Sequence, residues 1–227
     1  MPFRGAEPYS NPRARSGAFT ENEAQLQVHP RIHRSPLLLV LSGPSGVGKD
    51  AILNRMRLTN CPFFFTVTAT TRPIRDNEKD GVDYIFLSRD LFLEMKEQGE
   101  FLEFAQVYGN WYGVPKDQVE EALSQGSDVL IKADVQGAAS IKRLAPQAIL
   151  VFVAPPSMHE LERRLRWRLT ESEESLNLRL ETAREEMERL PAFDYVTTND
   201  TLDDAIEHLN AIVTGEKCRI PPRVVRL

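Results

Sequence analysis

An α/β fold built on a parallel sheet and carrying a small antiparallel β insertion is what this sequence predicts on three observations. The apolar run Leu37 to Leu41 leads through Gly43-Pro44-Ser45-Gly46-Val47-Gly48-Lys49-Asp50 into an amphipathic stretch with Ile52, Leu53 and Met56, the order strand, turn, helix. Two further apolar runs, Asp128 to Asp134 and Ala148 to Val153, alternate with helical patterns, as buried parallel strands do. Between Thr68 and Val114 short strand signals follow one another too closely for helical crossovers, which points to the antiparallel insertion.

Residues 1 to 35 mix Arg4, Arg13, Arg15, Arg31 and Arg34 with Pro2, Pro8, Pro12 and Pro30 without any period, so a disordered extension is expected. Glu7, Glu21 and Glu23 favour a solvated tail over a transit peptide. Cys61-Pro62 breaks the first helix, and Phe63 to Thr68 reads as a second strand. Thr70 to Glu78 is a loop presenting Arg72 and Arg75. Asp83 to Leu87 and Glu100 to Tyr108 read as short strands around a Ser88-capped helix through Met95, and Val114-Pro115 closes the insertion. A helix from Lys116 to Ser124 leads to the strand that delivers Asp134 at its C-terminal end, where open α/β sheets place ligand groups. Ser157 with Glu160 is a capping box that opens a helix with Leu161, Leu165 and Leu169 on one face and Arg163, Arg164, Arg166 and Arg168 among the rest. Thr170 with Glu173 marks a second start, and Pro191 stops that helix. Tyr195 to Thr198 is the last strand, Thr201 to Val213 the last helix, and a tail follows from 215.

The 227 residues suit one domain, with 41% hydrophobic residues to fill its core. A net charge of −5 argues against a wide basic surface, so no nucleic acid partner is expected, while local basic clusters can still hold small phosphorylated ligands. Leu37 to Leu41 is far too short to span a bilayer, and no membrane association is expected. Cys61 and Cys218 show neither metal-ligand spacing nor a disulfide framework, which suits a reducing cytoplasm.

The glycine-rich turn carries chemistry of its own. Its glycines let backbone N–H groups converge on an anion, and the helix behind them adds partial positive charge. Lys49 stands where an ammonium reaches the β- and γ-phosphates of a nucleoside triphosphate, so Gly43, Pro44, Ser45, Gly46, Val47, Gly48, Lys49 and Asp50 form the candidate site. The usual pattern ends in Ser or Thr, whose hydroxyl binds Mg²⁺, whereas this chain has Asp50.

Further motifs follow that loop: Thr70-Thr71-Arg72-Pro73 with Arg75, Gly81-Val82-Asp83-Tyr84, Gly99-Glu100-Phe101-Leu102-Glu103, Asn110-Trp111-Tyr112-Gly113, Asp134-Val135-Gln136-Gly137 and Asn199-Asp200. In this order, over residues 36–214, the chain closely resembles guanylate kinases. The resemblance implies a P-loop NTPase three-layer core, a GMP-binding insertion at about 68–115, a mobile helical lid at about 157–190, and phosphoryl transfer from ATP to GMP with Mg²⁺. By the same resemblance Arg72, Arg75, Tyr84 and Tyr112 clamp the GMP phosphate, while Thr68, Glu103 and Asp134 face the guanine. Asp134 would also bind Mg²⁺ through water, and Arg164, Arg168 and Arg179 would act with Lys49 in catalysis. Asn199 matches a family residue near the adenine of ATP, although an Asn before a helix is as often a cap. The chemistry suits these residue types. Moving a phosphoryl group needs alignment and charge neutralisation, and an ionised Glu103 accepts from both N1–H and the 2-amino group of guanine but meets an acceptor at N1 of adenine. ATP and GMP are the implied partners of a monomer or homodimer.

Three positions depart from the family pattern. Asp50 is expected to coordinate Mg²⁺ directly, its charge offset by the metal. Val114 stands where a Ser or Thr usually donates to guanine O6, which predicts weaker GMP binding with specificity kept by Glu103. Trp167 and Leu169 flank Arg168 where glycines are common, which should stiffen the lid hinge. Two rival functions fit the same outline, a ribose 1,5-bisphosphate kinase and a phosphopeptide-binding module without catalysis. The retained Lys49 and lid arginines favour the enzyme, and Asp50 is the best argument for the module.

Overall fold

The computed structural model describes residues 35–227 apart from Asn60, Asn77, Tyr108 and residues 169–172. The expected extension at 1–35 lies outside these residues except for Ser35, as do Leu169 and the helix start at Thr170. The described chain runs β1 (Leu38–Ser42), α1 (Lys49–Leu58), β2 (Phe63–Phe65), β3 (Ala69–Thr70), β4 (Ile85–Phe86), α2 (Arg89–Glu97), β5 (Phe101–Val107) and β6 (Asn110–Pro115). It continues as α3 (Lys116–Ser124), β7 (Asp128–Lys132), α4 (Val135–Leu144), β8 (Ile149–Ala154), α5 (Met158–Arg168), α6 (Glu173–Glu188), β9 (Tyr195–Thr198) and α7 (Leu202–Lys217).

The main sheet has the order β2-β7-β1-β8-β9, with every neighbouring pair parallel. All five residues of β1 are buried because both faces of this sheet are covered. Alternation along β1 divides the core: Leu37, Leu39 and Leu41 join Ile52 and Met56 of α1 with Leu161 and Leu165 of α5, while Leu38 and Val40 join Val119, Ala138 and Ile141 on the opposite face. Ser88 caps α2 by accepting from the Leu91 N–H at 3.2 Å, and Ser157 caps α5 through the Glu160 N–H at 3.1 Å, as the sequence predicts.

The insertion is a second sheet of order β4-β3-β6-β5, and it corrects the expectation in two ways. It is mixed, since β3 pairs with β4 in parallel while β3–β6 and β5–β6 are antiparallel. The connection 71–84 is long enough to return the chain to the same end of the sheet, so a parallel pair forms without a helix. It also contains β6, a strand where only a motif and a closing Pro are expected from sequence. Gly113 lets this strand pass Phe101, whose ring lies 2.8 Å from where a Cβ would stand, and Phe101 stacks on Phe92 at 4.4 Å.

The last helix runs to Lys217, beyond the expected start of a tail at 215. Buried Glu216 explains the extra turn: it accepts from Arg223 at 2.8 and 3.0 Å and from the Tyr195 hydroxyl at 2.7 Å, holding the chain end against β9. Among the described residues no helix is long and apolar enough to cross a membrane.

Candidate active site

The phosphate loop leaves β1 with Gly43, Gly46 and Gly48 at φ of 131°, 84° and 103°, backbone that other residues rarely adopt. A Cβ at Gly43 would strike the Val153 carbonyl, so the loop lies directly against β8. The N-terminal end of α1 faces the same space, as anion binding requires. Lys49 folds its ammonium over the carbonyls of Gly43 and of Pro44, the latter at 3.0 Å. Burial lowers its pKa, with the Glu186 and Asp50 carboxylates opposing that shift. Glu186 of α6 accepts from the Ser45 N–H at 3.3 Å, and burial raises its pKa, countered first by Lys49.

Thr201, not Asn199, caps α7, accepting from the Asp204 N–H at 3.2 Å. Asn199 is buried and donates to the Val47 carbonyl at 2.8 Å, supporting the loop from beneath. Arg164 is anchored nearby. Its Nε donates to Glu160 at 2.7 Å and Nη1 donates to the Asn199 carbonyl at 3.0 Å, outside the cleft. Arg179 of α6 does line the cleft. Arg168 is the last residue of α5, next to Trp167, which is 89% exposed.

Facing the loop is the insertion, across a cleft of about 670 Å³. Lys49, Asp50, Thr68, Arg72, Arg75, Tyr84, Glu103, Tyr112, Asp134 and Arg179 all line it, so most of the sequence-predicted site comes together in one space. Arg72 is buried and held as a fork against Glu78, with both bonds at 2.6 Å, while its guanidinium lies 4.7 Å from the centre of the Tyr84 ring. This bonding raises the Arg72 pKa and lowers that of Glu78. Arg75 remains exposed at the cleft wall. Tyr84 and Tyr112 meet edge to face at 6.2 Å.

Glu103 ends the cleft on the base side. It is 6% exposed and its Oε2 has no hydrogen-bond partner. Burial, followed by the Asp134 carboxylate, pushes its pKa up to about 8. A Cβ at Gly137 would collide with this carboxyl, so α4 can approach only because a glycine stands there. Asp134 caps the same helix, accepting from the Gly137 N–H at 2.7 Å. Val114 pairs with Glu103 across the sheet but is fully buried among Leu102, Val119 and Ala133, and it does not line the cleft.

Sequence reasoning passed over Lys132, Glu78 and Glu186. Lys132 lies inside the apolar stretch Asp128 to Asp134, which reads from sequence only as a strand, yet its Nζ donates to Asp50 Oδ1 at 2.6 Å and to the Tyr84 hydroxyl at 2.8 Å. Burial alone would lower its pKa, but Asp50 and Tyr84 outweigh it and hold the ammonium above the usual lysine value. The available signal was a lone charge in the run Val129 to Ala133, at the C-terminal end of a strand, where ligand groups gather.

Mg²⁺ demands an octahedron of oxygens at about 2.0–2.1 Å. Asp50 already bonds an ammonium, Asp134 Oδ1 is committed to α4, and the described residues contain no group of three or more His, Cys, Asp or Glu arranged to hold a metal. These side chains alone do not make a protein-held Mg²⁺ cage, and the direct contact expected of Asp50 meets a competing cation.

A glycine-rich loop with a buried lysine, facing an arginine- and tyrosine-lined wall and a buried carboxyl on an inserted sheet, is the build of a P-loop nucleoside monophosphate kinase. The guanylate kinase family model matches residues 35–216. The guanylate kinase of Carboxydothermus hydrogenoformans is 45% identical over 188 residues, 83% of this chain and 92% of that one. That of Shouchella clausii is 43% identical over 183 residues, 81% of this chain and 89% of the other. The crystal structure of guanylate kinase from Anaplasma phagocytophilum superposes with a TM-score of 0.70 at 32% identity, covering 82% of this chain and 88% of that chain. The chain belongs to the guanylate kinase family.

Proposed function

We infer that this chain transfers a phosphoryl group from ATP to GMP, giving ADP and GDP, in purine nucleotide metabolism. The observation that carries the reading is the single cleft in which Lys49 and the glycine loop face Arg72, Arg75 and Glu103. Loop N–H groups and Lys49 hold the donor's phosphates, so the Lys49 ammonium must leave the Gly43 and Pro44 carbonyls when nucleotide arrives. Arg72, fixed by Glu78, and Arg75 grip the acceptor phosphate with the hydroxyls of Tyr84 and Tyr112, which aligns its oxygen for in-line attack. Glu103 loses its proton to accept from guanine N1–H and the 2-amino group, with Thr68 and Asp134 lining the same wall. Arg179 reaches the phosphates from α6, and Arg164 and Arg168 join on closure of a lid formed by α5 and α6. Asn199 acts by supporting the loop. Mg²⁺ carried by ATP would supply charge neutralisation at the donor phosphates beside Lys49. Free Cys61 and Cys218 suit the reducing cytoplasm that we propose as its setting.

The bisphosphate kinase and the phosphopeptide module are not favoured: the first would not need Glu103 with the paired Arg72 and Arg75, the second would not need Lys49 in an intact loop, and here all of them line one cleft. Coupled detection of ADP tests this. Turnover is expected with GMP and not with AMP, and Glu103→Gln is expected to lower kcat/KM for GMP by about 100-fold, as the loss of a charged hydrogen-bond pair does. Equal turnover of AMP would reject the reading.

A further inference from the structure

We propose that Lys132 is a catalytic residue of this enzyme: paired with Asp50, it is a built-in cation between donor and acceptor phosphates and replaces a protein-held Mg²⁺. The proposal rests on the assignment of residues 43–50 to the donor phosphates and of the Arg72, Arg75 and Tyr84 wall to the acceptor phosphate.

Position is the first argument. Lys132 closes β7 opposite Leu41 of β1, beside the root of the phosphate loop, and it lines the cleft. Its Nζ touches one group from each side, Asp50 of the loop at 2.6 Å and the Tyr84 hydroxyl of the insertion at 2.8 Å. The transferred phosphoryl group has to pass between those two sides. Tyr84 holds the ammonium in register, with Lys132 Nζ 4.4 Å and Arg72 4.7 Å from its ring centre.

Charge is the second argument. A carboxylate beside a polyphosphate repels it, and replacing the usual loop hydroxyl by Asp50 would weaken donor binding if nothing answered it. Lys132 answers it, leaving the pair neutral. Its side chain is 17% exposed and that of Asp50 56%, so the cation is sheltered in the wall while the carboxylate is the more open partner.

Metal geometry is the third. Mg²⁺ at its usual bond length from Asp50 would lie roughly 4 Å from the ammonium, two cations contending for one carboxylate. Asp134 lines the cleft with one of its two oxygens, Oδ1, already accepting at the cap of α4, which leaves it a single free oxygen toward a metal. Phosphate-loop enzymes otherwise hold the metal by a loop hydroxyl and an acidic residue. Here a lysine and an aspartate occupy the loop side of the cleft instead.

Calorimetric titration with ADP, once with saturating Mg²⁺ and once with EDTA, tests this without turnover. For the unaltered chain the two dissociation constants are expected to differ by less than about fivefold. In Lys132→Met the affinity in EDTA is expected to fall at least about tenfold, and the ratio to exceed about fivefold, because Asp50 is released to the metal. Lys132→Arg is expected to restore the small ratio, and Asp50→Ser with Lys132→Met removes both charges yet still shows the large one. In turnover, Lys132→Met should lower kcat by about 100-fold while KM for GMP changes far less. A ratio above fivefold in the unaltered chain, or an unmoved ratio in both Met variants, overturns the proposal. Lys49→Met should lose ADP binding in both buffers. If it does not, the loop assignment itself is wrong, a failure distinct from an unmoved ratio at Lys132.

Discussion

Glu103 sits in the ligand-free cleft with a pKa of about 8, so at neutral pH most of it carries a proton. A neutral carboxyl offers guanine one acceptor and one misplaced donor, whereas the ion accepts twice. GMP binding should therefore release a proton, and the sign follows: below pH 8 affinity rises with pH, and above it levels off. The phosphate of GMP titrates near pH 6, so the informative window is pH 7 to 9, over which affinity should tighten about tenfold. Titrations in buffers of different ionisation enthalpy check both the trend and the proton. Glu103→Gln should bind weakly and show a flat profile. A flat profile in the unaltered chain would mean that the carboxyl is already ionised.

At the level of elements, α6 does more than form half of the helical arm. It lays the Glu186 carboxylate on the Ser45 N–H, in a loop whose amides serve a phosphate, and beside Lys49. A donor nucleotide must displace it. Removing that charge relieves a repulsion of about 1 kcal/mol in a wet cleft, so Glu186→Gln should bind ADP roughly fivefold tighter at pH 7.5, measured by calorimetry. An unchanged constant would show that α6 already swings clear in solution. Sequence could not single out Glu186, because Glu185 and Glu188 share the same charged run and only packing decides which one faces the loop. The same limit hid β6. Asn110-Trp111-Tyr112-Gly113 carries a Gly and ends at Pro115, both weak strand formers, and the strand exists because β3 and β5 flank it. By contrast β1, β7 and β8 were legible, since strands buried on both faces leave uninterrupted apolar runs. The caps at Ser88 and Ser157 were equally local and equally legible.

Across the whole molecule, the site is a store of unfavourable burial that the core must offset. The motif order told which residues would meet in the cleft, because each motif sits at a strand end or turn whose place is fixed by the sheet. It could not tell which charges would pair there: Lys132 with Asp50 and Arg72 with Glu78 are contacts between segments, with no local pattern to betray them. Glu103 carries part of that cost of burial, beside Lys49 and Lys132. Its ordinary pKa near 4.5 is raised to about 8, so between these values the folded chain holds a proton that the unfolded chain has lost. Stability must then fall as pH rises through that window, by up to about 1.4 kcal/mol per unit and about 5 kcal/mol in all as an upper bound. Glu103→Gln keeps the shape and removes the titration. Urea midpoints of the two proteins, without nucleotide, should correspond to a gap under about 1 kcal/mol at pH 5 and separate further at pH 8.5, with the Gln variant the more stable by a few kcal/mol at most. Saturating GMP should narrow the gap at pH 8.5 by stabilising the unaltered protein alone, since the ionised carboxylate then has its two donors. A gap of the same size at both pH values would assign the difference to packing and not to the charge that selects guanine.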